Sequence, residues 1–170
     1  MSMYSLLAAL SEAKVDYVLV GGLAVTLHGY QRVTMDVDVV LALNDNNLSK
    51  FIDCAKGAQL RPVLPFPLDS LRDAALIDQW YEEKGMLAFA LREPDMMATV
   101  LDLLVRPVVP FENLKANASV KRSGSISIPV ASIDDLIVLK TGTGRSKDVL
   151  DIEEVRKIKL RMNEGKNEVR

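Results

Sequence analysis

The sequence is short of several residue types, and each shortage excludes a class of protein. It has one cysteine, Cys54, and one histidine, His28, in 170 residues. An internal disulfide and a cysteine-based zinc site are therefore excluded. With a single histidine, we expect neither a histidine-based catalytic triad nor a histidine-rich metal site. No apolar run reaches the roughly 18 residues of a membrane span. The first ten residues also lack the pattern of a signal peptide. We therefore expect a cytoplasmic protein.

A strong net charge is absent as well. The chain has 21 Lys+Arg and 23 Asp+Glu, so its formal net charge is −2, and no global electrostatic case exists for binding nucleic acid or membranes. Only residues 140–170 are basic overall, which gives weak support to an RNA-binding adaptor. The apolar (49%) and charged (26%) fractions are those of an ordinary folded protein. We interpret residues 1–162 as a single domain and 163–170 as a polar tail.

Hydrophobic patterning predicts strands that first alternate with helices and then form hairpins. The predicted strands are Tyr17–Val20, Met35–Leu43, Met86–Leu91, Met97–Val105, Ser119–Arg122 and Ser125–Ile128, with a turn at Glu93-Pro94-Asp95. The predicted helices are Met3–Ala13, Leu23–His28, Asn47–Ala55, Phe111–Ala116, a segment starting at Ser132, and Lys147–Met162. Prolines in Arg61–Lys84 favour loop or edge structure there. We expect an α/β (α+β) fold: a mixed sheet flanked by helices, with a helical C-terminus.

The pair Asp36 and Asp38 is the most informative chemical feature. Side chains two residues apart on a strand share a face, so these carboxylates lie within about 7 Å of each other, opposite Val37 and Val39. Their mutual repulsion leaves three alternatives: both are solvated, one is protonated, or a cation lies between them. Oxygen ligands of this kind select hard ions such as Mg²⁺.

Gly21 and Gly22 lie between a buried strand and a short helix. Glycine allows a phosphate to approach backbone N–H groups closely, and a helix N-terminus favours anions. A tight strand-to-helix turn is the simpler interpretation. The order of strand, Gly-Gly, helix, basic residue and acidic strand is, however, the arrangement that a Mg²⁺-bound nucleoside triphosphate requires.

The segments Val20-Gly21-Gly22 and Arg32-x-Thr34-x-Asp36-Val37-Asp38 resemble the signature of the DNA polymerase β-like nucleotidyltransferase superfamily. They are closest to minimal bacterial members, including AbiEii-type toxins and stand-alone relatives, and are similar to lincosamide nucleotidyltransferases. The later stretch Asp135-Leu136-Ile137-x-x-Lys140, with Lys147-Asp148-x-x-Asp151, also resembles these relatives. The resemblance covers residues 18–40, about 99–104 and 132–152.

The resemblance implies a two-metal Mg²⁺ site and a nucleotide site. Asp36, Asp38 and Asp102 would hold the metals, and Asp102 would help to deprotonate the attacking hydroxyl. For Asp102 the alternative is an ion pair with Arg92. The triphosphate would be held by the remaining candidates, Gly21, Gly22, Arg32, Thr34 and Lys140. For Lys140 the alternative is a salt bridge to Asp148 or Asp151.

The activity implied is transfer of a nucleoside monophosphate from Mg-NTP to an acceptor hydroxyl on RNA (such as tRNA), protein or a small molecule. The alternative is a toxin–antitoxin or phage-defence component that acts mainly by binding a partner protein. Little chain remains for a separate acceptor domain. Acceptor recognition would therefore rely on a homodimer, a partner protein or the segment 61–84.

Overall fold

A seven-stranded mixed sheet forms the centre of the protein, as seen in a computed structural model that describes residues 1–94 and 99–167. The strands are β1 (Tyr17–Val20), β2 (Asp36–Leu41), β3 (Arg61–Pro62), β4 (Ala88–Arg92), β5 (Val100–Leu104), β6 (Ser119–Ser123) and β7 (Ile126–Val130). Their order in the sheet is β3-β4-β5-β2-β1-β7-β6. β1 is buried along its whole length because it lies near the middle of the sheet.

Helices flank the sheet. They are α1 (Met3–Glu12), α2 (Gly21–Leu27), α3 (Asp45–Gly57), α4 (Ala74–Lys84), α5 (Phe111–Asn117), α6 (Ile133–Lys140) and α7 (Ser146–Asn167), with a 3-10 helix at Leu68–Arg72. Side-chain oxygens cap several N-termini: Ser2, Asn44, Asp73 and Ser132 each accept a hydrogen bond from a backbone N–H in the first turn. Such caps satisfy N–H groups that have no partner within the helix.

The pairing of β2 with β5 positions the acidic residues. These strands run parallel, with Asp38 opposite Asp102 and Asp36 opposite Val100. Val37 and Val39 are fully buried, whereas the two aspartates on the other face of β2 are half-buried. The predicted alternation along β2 is therefore confirmed, and it directs all three carboxylates to one face of the sheet.

The segment 61–84 departs from the prediction of loop or edge structure. β3 is indeed a short edge strand, but α4 is a regular helix that ends at Gly85 in the left-handed conformation. Its buried Trp80 stacks on Phe66, with ring centroids 4.1 Å apart, and lies 6.3 Å from Phe89 of β4. Long-range aromatic packing holds this helix in place, and the local sequence does not carry that information.

Most other predicted elements are confirmed to within a few residues. α2 begins at Gly21 itself, two residues before the prediction, because the diglycine forms its first turn. α7 extends to Asn167, so the first residues of the predicted polar tail are helical. Asp95 of the predicted turn, Met97 of the predicted strand and residues 168–170 lie outside the described residues. Among the described helices, none is long and apolar enough to cross a bilayer.

Candidate active site

A polar cavity of about 230 Å³ lies where β2 and β5 meet the start of α2. It brings together all eight residues that the sequence nominates: Gly21, Gly22, Arg32, Thr34, Asp36, Asp38, Asp102 and Lys140. Arg145, Lys147 and Asp148 complete the wall on the side of α7. Segments far apart in the sequence thus converge on one site.

The diglycine turn fits closely against the carboxylates. Gly21 has a φ of +67°, in the left-handed region that favours glycine, and a Cβ there would overlap the Asp38 carboxylate. A Cβ on Gly22 would lie 3.0 Å from Thr34 Oγ1 and 3.1 Å from the Arg32 guanidinium carbon. The Gly22 N–H favours the ionised form of Asp38 and so lowers the pKa of its carboxyl, against the larger effect of burial. Gly21 is therefore needed for this close approach, and the space beside Gly22 is tight for any side chain.

The three carboxylates are poorly compensated by positive charge. Burial and the neighbouring Asp36 charge raise the pKa of Asp38, although Lys140, the Gly22 N–H and Arg145 partly oppose this. Burial, with the charges of Asp38 and Asp36, raises the pKa of Asp102 to about 6. The described residues include no ion-pair partner for Asp102, so the alternative pairing with Arg92 is not seen. Such repulsion is characteristic of functional carboxylate sites.

The chemistry of these residues fits a hard cation. The donors are carboxylate oxygens. Burial, together with the neighbouring acidic charges, raises the pKa of Asp38 and of Asp102, so a cation bound there would stabilise their ionised forms. Within residues 1–94 and 99–167, no three His, Cys, Asp or Glu side chains are arranged to hold a metal ion by themselves. A metal here would need additional oxygen ligands, which the phosphates of a nucleotide can supply.

Lys140 is buried and lies between two acidic residues of α7. Its Nζ is 3.0 Å from Asp148 Oδ1 and 2.8 Å from Asp151 Oδ2. The side chain is only 6% exposed, so pairing is required for it to remain charged. The salt-bridge alternative for Lys140 is therefore observed. Because Lys140 also lines the polar cavity, a role toward phosphate stays a prediction.

Two arginines extend this ion network around Lys140. Arg32 pairs with Asp151, and Arg145 Nε lies 2.6 Å from Asp148 Oδ2. Burial would raise the pKa of Asp148, but hydrogen bonds from Thr143, Lys140 and Arg145 outweigh it and lower that pKa to about 2. The predicted phosphate ligands Arg32 and Lys140 thus already have acidic partners. Thr143 carried no sequence signal, whereas Arg145 and the two aspartates belong to the stretch that resembles the family.

A second, larger cavity of about 410 Å³ adjoins the first. The two share Gly21, Asp38, Asp102, Lys140 and Arg145. Beyond them the larger cavity is mainly apolar, with a wall that includes Tyr81, Leu87, Leu104, Val108, Leu136 and Leu139. Among these residues the sequence singles out Tyr81 alone, as a side chain able to stack on a base or to pack at the rim of the core. The leucines and Val108 carry no such signal, because an apolar residue that lines a cleft looks like any other exposed or core apolar residue.

Three residues of types that often serve in functional sites have structural roles here. His28 Nε2 lies 2.8 Å from the Ala131 carbonyl oxygen, at the end of α2. Trp80 is a core residue within the aromatic stack, and half-buried Cys54 packs against the core. None of them lines either cavity.

Comparison with known proteins gives matches at the level of structure alone. No protein-family model matches the sequence, and no curated protein is significantly similar. The lincosamide antibiotic adenylyltransferase LnuA, in its lincomycin-bound structure, superposes with a TM-score of 0.61 at 18% identity, covering 92% of this chain and 96% of that one. ANT(2″)-Ia in complex with adenylyl-2″-tobramycin gives 0.51 at 12% identity, with 95% of both chains covered.

A third similar structure is an antigenic nucleotidyltransferase-like protein from Paracoccidioides brasiliensis. Its TM-score is 0.52 at 19% identity, and the match covers 91% of this chain and 72% of that one. Identities this low establish shared architecture, since one fold supports many activities. The mixed sheet, its flanking helices and its helical C-terminus show that this chain has the nucleotidyltransferase fold.

Proposed function

We propose that this protein is a nucleotidyltransferase that moves a nucleoside monophosphate from a Mg²⁺-bound nucleoside triphosphate to an acceptor hydroxyl and releases pyrophosphate. The observation that carries the proposal is the convergence of Asp36, Asp38 and Asp102 on one polar cavity beside the diglycine turn. The nucleotidyltransferase fold supports the same activity.

Charge balance in the polar cavity favours a nucleotide that arrives with its metal. Its lining has as many acidic as basic side chains: Asp36, Asp38, Asp102 and Asp148 against Arg32, Lys140, Arg145 and Lys147. A free triphosphate would therefore bring several negative charges into a site with no net positive charge. Magnesium ions, held by the three aspartates, would neutralise that charge and polarise the transferred phosphoryl group.

The protein's own groups would divide the remaining work. The backbone of Gly21 and Gly22 would hold the phosphates at the start of α2. The phosphates would also be contacted from the side by Arg32, Thr34 and Lys140. Asp151 pairs with the side chains of Arg32 and Lys140 and would fix their orientation. Asp102 would accept the proton of the acceptor hydroxyl, and its pKa of about 6 leaves it ionised at neutral pH.

Among the possible acceptors, we favour a small molecule over RNA or protein. The names of two structural neighbours, LnuA with lincomycin and ANT(2″)-Ia with adenylyl-2″-tobramycin, refer to antibiotics. An affiliation with AbiEii-type proteins, a bacterial origin and a cytoplasmic location rest on the sequence resemblance and composition alone. No structural observation favours a toxin–antitoxin component that acts by protein binding.

Transfer of radioactive label from the α-phosphate tests the proposal. The protein is incubated with each of the four triphosphates and a bacterial extract divided into small-molecule, RNA and protein fractions. We expect Mg²⁺-dependent labelling of one fraction. Asp38→Asn should lower the rate on the order of a thousandfold without unfolding the protein, because it removes a like-charge clash.

Asp53→Asn is the matched control. Asp53 is an exposed acid on α3 and lines neither cavity, so its variant should keep the wild-type rate. Full activity in Asp38→Asn, or label transfer that is indifferent to Mg²⁺, would show that the metal site has been assigned to the wrong residues.

A further inference from the structure

The two cavities differ in chemistry, and they meet at the aspartates. On one side of Asp38 and Asp102 the lining is charged, and on the other it is mainly apolar. In phosphoryl transfer the attacking and leaving oxygens lie roughly in line on opposite sides of phosphorus. If phosphorus is at the aspartates and pyrophosphate leaves into the polar cavity, the attacking hydroxyl must enter from the apolar one.

We propose that the apolar cavity is the acceptor site, and that the acceptor is a small, weakly charged molecule with an alcohol group and an apolar part. The inference rests on the proposed function and names the substrate class for it. The acceptor oxygen forms a bond to the α-phosphorus of the triphosphate while the bond from phosphorus to the bridging oxygen breaks. Pyrophosphate leaves with the electron pair, and the hydroxyl proton passes to Asp102.

The size and lining of the cavity fit such a molecule. A volume of about 410 Å³ is typical of small-molecule sites, which are mostly apolar with a few directing polar groups. Leu87 is 69% and Val108 72% exposed, and both lie at this cavity together with Tyr81. Large apolar side chains exposed around one cleft beside reactive carboxylates indicate a site for an apolar ligand surface.

The charges around the cavity argue against a polyanion or a polycation as acceptor. Its three cationic side chains are each engaged: Arg106 with Asp78, Arg145 with Asp148, and Lys140 with Asp148 and Asp151. Among the described residues that line it, the acidic side chains are Asp38 and Asp102, which the metals would occupy. Neither RNA nor a polyamine would find enough opposite charge here.

The wall formed by α4 is rigidly supported. Trp80, the residue before Tyr81, is buried in the stack with Phe66 and Phe89. Arg106 Nη2 also donates to the Ala74 carbonyl at 3.2 Å, which joins the start of α4 to the segment after β5. The segment 61–84 thereby contributes to an acceptor site within a single chain.

Binding of alkyl glucosides tests this inference without requiring turnover. Methyl, butyl and hexyl β-D-glucopyranoside carry the same hydroxyls and differ only in apolar length. Calorimetric titration of the full chain should show affinity that rises about fourfold for each buried methylene. The hexyl compound should therefore bind at least tenfold more tightly than the methyl compound as soon as two of its added methylenes are buried. Affinity that does not depend on chain length would overturn the proposal.

Three exposed apolar residues supply matched variants that should fold normally. Leu87→Gln and Val108→Asn should remove most of the gain in affinity between the methyl and hexyl compounds. Val120→Asn, which changes a residue of β6 that is 65% exposed and absent from the cavity, should retain it. Thermal unfolding of each variant checks that its fold is intact.

The identity of the occupant is tested by titrating the same variants with the Mg²⁺ complex of each of the four triphosphates. For the triphosphate that binds the wild type most tightly, we expect affinities within twofold of the wild type. If Leu87→Gln and Val108→Asn weaken that triphosphate as much as they weaken hexyl glucoside, the nucleoside occupies the cavity and the proposal is wrong. Displacement of hexyl glucoside by an RNA oligonucleotide would also contradict it. The proposed function fails in a different experiment. In that case no label is transferred from the triphosphate, while the dependence of glucoside affinity on chain length is unchanged.

Discussion

Two groups of buried charges lie side by side in this protein and differ in how they are neutralised. On β2 and β5, three carboxylates repel one another, and the pKa of Asp102 is raised to about 6. On α6 and α7, Lys140 lies between two carboxylates, and the pKa of Asp148 is lowered to about 2. In the second group, side chains of the protein itself neutralise the acidic charges, and we call this the complete group. In the first, incomplete group, the carboxylates lack a paired cation, which a metal would supply.

The largest expected effect on stability comes from breaking the complete group. Lys140→Met leaves two buried carboxylates without their shared cation, and we expect a loss of about 3 kcal/mol, or about 10 °C in Tm for a chain of this size. Lys159→Met is the control, because Lys159 is 43% exposed and pairs with Asp134 at the surface. Lys159→Met should lower the free energy of unfolding by less than about 0.5 kcal/mol.

Replacing all three charges sharpens this test. The triple variant Lys140→Met, Asp148→Asn, Asp151→Asn should recover part of the stability that Lys140→Met loses, since the two carboxylates that shared Lys140 are then neutral. The recovery is partial because Arg32 and Arg145 lose their acidic partners. Equal denaturation midpoints for Lys140→Met and the wild type would mean that the ion network does not support the fold.

A substitution at Gly21 should disturb the incomplete group. Gly21→Ala combines a left-handed backbone with a Cβ that overlaps the Asp38 carboxylate. We expect a loss of about 2 kcal/mol and loss of Mg-NTP binding, measured by chemical denaturation and by titration. Gly57→Ala is the control, because Gly57 has nothing within 4 Å of its added Cβ. A Gly21→Ala protein that binds Mg-NTP normally would contradict the close approach described above.

The smallest of these effects is a gain in stability from Asp102→Asn. The pKa of Asp102 is raised on folding, so the ionised form destabilises the native state above about pH 6 and the penalty vanishes below about pH 4. Without metal, the variant should be more stable by about 1 kcal/mol at pH 8, a value reduced by solvent screening. It should match the wild type at pH 4. A difference in unfolding free energy between Asp102→Asn and the wild type that stays the same from pH 4 to pH 8 would contradict the repulsion among the carboxylates.

The sequence is sufficient for those parts of the site that depend on local patterns. Alternation along β2 places Asp36 and Asp38 on one face, and a diglycine between a strand and a helix indicates a close approach. Asp102 is conspicuous as an acid within an apolar strand. Its position opposite Asp38 follows from the parallel pairing of β2 with β5, a contact that a single sequence does not encode locally.

Features that depend on long-range packing were not predictable. α4 is held by contacts of Trp80 with Phe66 and Phe89, while the prolines before it favour a loop. The apolar cavity assembles Tyr81, Leu87 and Val108 from different parts of the chain. For Lys140, sequence patterns favour a phosphate and a salt bridge equally, and only the position of α7 against α6 reveals the pairing.

Stabilisation by nucleotide tests the central claim most directly. Thermal unfolding is followed with ATP, CTP, GTP or UTP, with Mg²⁺ or with EDTA, in the wild type and in Asp38→Asn. At a concentration about a hundred times Kd, a bound ligand adds about 2.7 kcal/mol, which corresponds to a Tm rise of about 5–10 °C. We predict this rise for at least one triphosphate, only with Mg²⁺ and only in the wild type. The same Tm in every condition, or an equal rise in Asp38→Asn, would contradict the assignment of these carboxylates to a metal–nucleotide site.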